Sequence, residues 1–136
     1  MTTGFSGPIE DRMALRDLLD TYADAVTRRD AADWAACWSE DAQWSLPDFA
    51  GVDTVVGRNA IVELWNAAMA QVPGLVFQAW PGAIRVDGDR ATMRSYTRET
   101  FQRDGAPVTM LGTYEDICGR HDRIWQFQRR EFRSIG

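Results

Sequence analysis

The chain has 136 residues, 45% of them hydrophobic, with 15 basic against 20 acidic side chains and a net charge of −5. A chain of this length buries roughly two thirds of its unfolded surface around one core, so residues 1–136 are expected to form a single domain. Both signs of charge are interspersed without a basic stripe, which argues against a nucleic acid or an anionic membrane as partner.

Residues 1–7, Met1 to Gly7, hold neither a basic region nor an apolar run, and read as a flexible lead-in to a cytoplasmic protein rather than a signal peptide. No stretch of the chain approaches transmembrane length. Cys37 and Cys118 lie in apolar settings without metal-ligand or CxxC spacing, as expected of buried free thiols.

From Pro8 to Arg29, the apolar residues Met13, Leu15, Leu18, Leu19, Tyr22, Ala23 and Val26 recur at spacings of three and four, the pattern of an amphipathic helix. Glu10 and Asp11 in its first turn suit the helix dipole. Asp30 is a predicted N-cap, with Asp33 three residues on, for a short second helix that carries Trp34, Cys37 and Trp38. Ser39-Glu40-Asp41 ends that helix, and Ala42 to Leu46 alternates like a short strand. After the loop from Pro47 to Gly51, the spacing of Ala60, Ile61, Leu64, Trp65, Ala68 and Met69 predicts a third helix, which starts beyond Gly57 and stops near Val72-Pro73-Gly74.

Beyond Gly74 the chain reads as four long strands, over about 75–85, 90–102, 106–118 and 124–133, separated by turn signals such as Asp104-Gly105. Pro81-Gly82 marks a bulge or an edge in the first of them. Helices followed by a meander of strands predict an α+β fold, with three N-terminal helices packed on a curved antiparallel sheet.

Alternation places Met93, Ser95, Thr97 and Glu99 on one face of the second long strand, and Met110, Gly112, Tyr114 and Asp116 together on the third. On the last, Ile124, Gln126, Gln128, Arg130 and Phe132 oppose Trp125, Phe127, Arg129 and Glu131. Neither face is purely apolar. One side is read as a wet pocket and the other as an open face through which the chain forms a homodimer.

Asp11 to Leu19, then Tyr22, Arg29-Asp30, Trp38 to Trp44 and Gly57 to Ile61, resemble the SnoaL-like branch of the NTF2-like superfamily. So do Gly112-Thr113-Tyr114-Glu115-Asp116 and Ile124-Trp125-Gln126-Phe127. The resemblance implies a cone of curved sheet wrapped around a long helix, with a ligand pocket in the cone. Dehydratase and dehydrochlorinase members use a His–Asp dyad as general base; the matching positions here are Thr27 for the aspartate and Phe77 for the histidine, so the dyad is missing. The one histidine, His121, falls in the last hairpin turn. Ser95 and Thr97 stand where the epoxide-hydrolase-like members carry arginine and aspartate.

The resemblance turns Tyr22, Arg130 and Asp116 inward as candidate catalytic groups. Tyrosine and arginine would polarise an oxygen and the carboxylate would move a proton. Structural alternatives stand beside these roles: a core tyrosine, and an ion pair of Arg130 with Glu99 or Asp116. Candidate substrate-binding residues are Val26, Thr27, Trp44, Trp65, Phe77, Trp80, Ser95, Thr97, Met110 and Tyr114.

The expected function is a lyase, isomerase or cyclase that uses no cofactor or metal and acts by acid–base chemistry on a small hydrophobic, oxygenated, cyclic or aromatic compound. A non-catalytic ligand-binding or assembly module, or an epoxide-hydrolase-like hydrolase, are the alternatives. Fold alone does not choose among them.

Overall fold

A computed structural model of the chain describes residues 3–136, so Met1 and Thr2 of the expected lead-in lie outside the described residues. Phe5–Ser6 of that lead-in is not loose. It forms β1, a two-residue strand parallel to the edge of the sheet at Ile84 and Arg85.

Helix α1 spans Ile9–Arg28, and of the residues that recur at helical spacing Leu15, Leu18, Leu19, Tyr22, Ala23 and Val26 are buried, while Met13, in the first turns, stays exposed. Arg29 stops it in the left-handed conformation, at φ 59° and ψ 38°. The guanidinium of Arg29 then donates to the carbonyls of Met69, at 2.8 Å, and Val72, at and just beyond the end of the third helix. Helix α2, Ala31–Ala36, starts as the sequence predicts, with the Asp30 side chain accepting from the Asp33 N–H at 3.0 Å.

Trp38, placed in that helix by sequence spacing, instead opens β2, Trp38–Ser45. The Cys37 carbonyl accepts from Phe127 N–H at 2.8 Å and Trp38 pairs with Phe127, so sheet pairing takes over from the short helix here. Strand β3, Thr54–Val56, is antiparallel to β2 and has no clear sequence signal. Helix α3 covers Arg58–Met69, and β4 to β7 are Val76–Asp87, Arg90–Arg103, Ala106–His121 and Ile124–Ser134.

The seven strands form one sheet in the order β1-β4-β5-β6-β7-β2-β3. The expected antiparallel sheet is in fact mixed, since β2 lies parallel to β7 and β1 parallel to β4. Register shifts interrupt it at Trp38/Gln43, Pro81/Ala83 and Ile117/Cys118, and such bulges bend a sheet and increase its twist.

The last of these bulges corrects the expected faces of β7. Cys118 pairs with Phe127 while Ile117 pairs with Arg129, which leaves Gln128 as an extra residue. The inward positions therefore change from odd to even: Trp125 and Phe127 are buried before it, Arg130 and Phe132 after it. Strict alternation mixes those two sets, which is why neither face reads as apolar.

Thr27 does not face the cone. Exposed at the end of α1, its hydroxyl oxygen accepts from the Phe77 N–H at 2.9 Å and donates to the Phe77 carbonyl at 3.4 Å, tying the helix to β4. Thr27→Val is expected to cost about 1 kcal/mol in urea unfolding, the net worth of an ordinary hydrogen bond. Both cysteines are free and buried. Among the described residues, no helix is long and apolar enough to cross a membrane.

Candidate functional site

Between α1, α3 and the inner face of the sheet lies a cavity of about 370 Å³. Helix α1 contributes Tyr22 and Val26; α3 contributes Leu64, Trp65, Ala68 and Met69; the strands add Trp44, Phe77, Phe101, Met110, Tyr114 and Phe132. Leu46, Phe49 and Val52 of the loop after β2 close one side, and Val72 and Leu75 another. Against this apolar wall the ionisable side chains are Tyr22, Tyr114, Glu99 and Arg103.

Strand pairing puts Glu99 opposite Phe77 on β4 and Met110 on β6, so the carboxyl lies between two apolar neighbours. No hydrogen bond or ion pair holds it among the described residues. Burial pushes the Glu99 carboxyl up from 4.5 to about 7. Glu99 is thereby poised to gain or lose a proton at neutral pH, facing a space of ligand size.

Tyr22 and Tyr114 form the second polar feature. The Trp44 indole N–H donates to the Tyr114 hydroxyl at 3.2 Å. Burial first, with the neighbouring phenol next, holds Tyr22 well above its ordinary value, while Arg130 pulls the other way. Tyr114 is pushed up to about 12, again by burial first and against the pull of Arg130. Both hydroxyls therefore remain protonated donors across the working range of pH. The Tyr22 ring is wedged among Trp34, Trp38, Phe77 and Phe127, with centroids 5.5 to 6.1 Å away, which fixes where its hydroxyl points.

Behind these rings sits the pair Arg130 and Asp116, both buried. The Arg130 guanidinium donates to Asp116 through Nε at 2.8 Å and Nη2 at 3.1 Å, and Nη2 also reaches the Ser95 hydroxyl at 3.2 Å. Its central carbon lies 3.7 Å from the Tyr114 ring centroid, 4.1 Å from that of Phe127 and 4.5 Å from that of Tyr22. Those π faces surround a cation whose Nη1 has no hydrogen-bond partner among the described residues. Burial raises the Asp116 carboxyl to about 6 against the pull of Arg130, so the pair is ionised at neutral pH.

Of the residues the sequence singles out, Tyr22, Val26, Trp44, Trp65, Phe77, Met110 and Tyr114 meet at the cavity. Arg130, Asp116 and Ser95 meet one another but stay behind its wall, with both Asp116 oxygens taken by Arg130. Thr97 is buried with its hydroxyl unpartnered. Trp80 belongs to the other face: 48% exposed, it packs on Tyr96 at 6.1 Å. Phe77 and Trp80 are three residues apart on an extended strand and so point to opposite sides.

Sequence reasoning misses Glu99 as a cavity group, although its alternation with Thr97 and Ser95 places it on the inner face. It also misses Phe132, whose inward turn depends on the bulge. Gly112 makes that turn possible, because a Cβ there would lie 2.1 Å from the Phe132 ring and 2.9 Å from Thr97 Oγ1. Gly112→Ala is expected to drive the Phe132 ring into the cavity, lowering stability by about 1–3 kcal/mol. Thermal melts and the titration of a hydrophobic fluorescent probe, whose affinity should fall, check this.

Among the described residues no group of three or more His, Cys, Asp or Glu side chains stands together as a metal site. An uncharacterised protein of Mycobacterium tuberculosis is 27% identical over 126 residues, covering 90% of this chain and 84% of that protein. An NTF2-like protein with a cystatin-like fold from Novosphingobium aromaticivorans superposes with a TM-score of 0.79 at 26% identity, over 93% of this chain and 83% of that one. A hexachlorocyclohexane dehydrochlorinase from Novosphingobium barchaimii shares the fold, with a TM-score of 0.80 at 19% identity over 94% and 88% of the two chains. Residues 8–131 match the SnoaL-like domain, and the chain belongs to the SnoaL-like family.

Proposed function

We propose that this protein is a cofactor-independent acid–base enzyme, a lyase, isomerase or cyclase, acting on a small hydrophobic, oxygenated cyclic or aromatic compound. One observation carries the reading: Glu99, unpaired among the described residues and with a carboxyl raised to about 7, faces an apolar cavity that is also lined by two tyrosines. A base works best when its pKa lies near the working pH, and burial alone brings this carboxyl there. The Glu99 carboxylate takes a proton from carbon next to a carbonyl or a leaving group. Tyr22 and Tyr114 donate hydrogen bonds to the oxygen on which negative charge develops, in a pocket whose low polarity strengthens that interaction.

This assignment keeps the reaction class expected from sequence and moves the base from Asp116 to Glu99. Arg130 acts from behind the wall, holding the tyrosine rings and opposing the rise of their pKa values.

The test is hydrogen–deuterium exchange on a panel of cyclic ketones and β-hydroxy ketones in D₂O, followed by NMR. At least one compound should exchange its α-hydrogens with wild type and lose that exchange with Glu99→Gln. Compounds that bind in the cavity yet never exchange would instead mark a ligand-binding module, and exchange untouched by Glu99→Gln would remove Glu99 from its role.

A further inference from the structure

Arg103 is the second charged group of the cavity lining, and it lies four residues beyond Glu99 on β5. The alternation that turns Glu99 inward turns Arg103 to the same face, with about 13 Å of extended strand between their α-carbons. Three residues of the lining, Phe49, Ala68 and Arg103, are exposed to solvent, and they mark where the cavity opens.

The guanidinium of Arg103 lies over the Phe101 ring, 5.2 Å from its centroid, with no ion-pair partner among the described residues. Glu99 is not its counterion. Burial accounts for the shift of the Glu99 carboxyl, whereas a cation in contact would pull that carboxyl down. The chain thus places an unneutralised cation at the mouth of an apolar cavity, on a protein of net charge −5. A neutral hydrophobic ligand would gain nothing from it; an amphipathic anion would.

We infer that the ligand of this cavity is an amphipathic organic anion, whose ring body fills the aromatic interior and whose carboxylate or similar oxyacid group is held at the mouth by Arg103. The inference rests on the reading of the cavity as the ligand site and adds the class of compound. Arg103 is a specificity-determining residue in this account and takes no part in proton transfer.

The experiment compares two fluorescent probes with one ring body, anionic 8-anilinonaphthalene-1-sulfonate and neutral N-phenyl-1-naphthylamine, titrated into the full chain at low salt. Wild type should bind the sulfonate about fivefold more tightly than the neutral probe, the scale of one partly exposed charge pair. Arg103→Gln should abolish that preference and leave the affinity for the neutral probe within twofold. Arg98→Gln, which removes the same charge from the exposed outer face of β5, should change neither.

Equal weakening of sulfonate binding by both variants would reduce the effect to net charge and overturn the inference. So would equal affinity of wild type for the two probes, a result that leaves the role of Glu99 standing. Failure of both probes to bind would overturn the reading of the cavity itself.

Discussion

At about pH 8.5 the Glu99→Gln variant is expected to be more stable than wild type by about 2–3 kcal/mol, because a shift of one pKa unit is worth about 1.4 kcal/mol. Burial moves the carboxyl from 4.5 to about 7, which in full is worth roughly 3 to 4 kcal/mol, and the expected gain is set below that because the side chain keeps partial contact with solvent. Between those two values the folded chain binds more protons at this site than the unfolded chain does. Stability therefore falls as the pH rises through the window, and the full penalty is present above pH 7. Glutamine does not titrate, so the gap between variant and wild type should be wide in alkaline urea melts, narrow as the pH falls, and vanish near 4.5. Curves that run parallel across this range would mean that Glu99 is not held in an apolar site.

The same variant should lower any proton-transfer rate by two to four orders of magnitude, the usual contribution of a positioned general base. Binding of the hydrophobic probes should survive. Stability gained and activity lost in one substitution is what a strained functional group produces, and a merely structural glutamate would not give it. Wild-type activity should rise with pH through about 7, as the base loses its proton, and that limb should be missing from whatever activity the variant keeps.

Much of this arrangement is visible in the sequence. The helical spacing of Leu15, Leu19, Tyr22 and Val26 names the face of α1 that fills the cone, and Asp30 announces α2. The inward positions of β5 and β6 follow from plain alternation, which puts Glu99 and Tyr114 on one side of the sheet. What alternation does not carry is the bulge at Gln128. A single extra residue reverses the parity of β7, and nothing in the local composition marks it, because both the residues before it and those after it combine aromatic and polar side chains. Trp80 fails for a different reason. Its aromatic character fits a cavity wall, but its position relative to Phe77 does not. Strands β1 and β3 are short edge strands of two and three residues, held by pairing with β4 and β2 rather than by any pattern of their own. Glu99 stays hidden because its raised pKa arises from burial between Phe77 and Met110, neighbours that are far away in sequence.

Asp116→Ala is expected to destabilise the fold by about 3–5 kcal/mol, since it strands a fully buried guanidinium without its counterion. Arg130 has 0% exposure and gives two hydrogen bonds to Asp116, so neither solvent nor another acidic side chain is at hand to replace the lost carboxylate. The double variant Asp116→Leu/Arg130→Met removes both charges and substitutes side chains that fill similar space. It should recover most of the loss in urea melts, because an apolar replacement of a buried pair is close to neutral. Its activity separates two roles that a single substitution confounds. If the pair served only to hold the sheet, the stable double variant would exchange protons at the wild-type rate. The guanidinium, however, lies 3.7 Å from the Tyr114 ring centroid and 4.5 Å from that of Tyr22. A desolvated cation in that position is worth about 2 kcal/mol to a ring that gains negative character, which corresponds to roughly a thirtyfold fall in rate when it is removed. A stable double variant that binds probe normally but works about thirtyfold more slowly would identify Arg130 as a positioning residue acting through the two tyrosines. Full activity would reduce the pair to scaffolding and leave the oxygen of the substrate to the phenols alone.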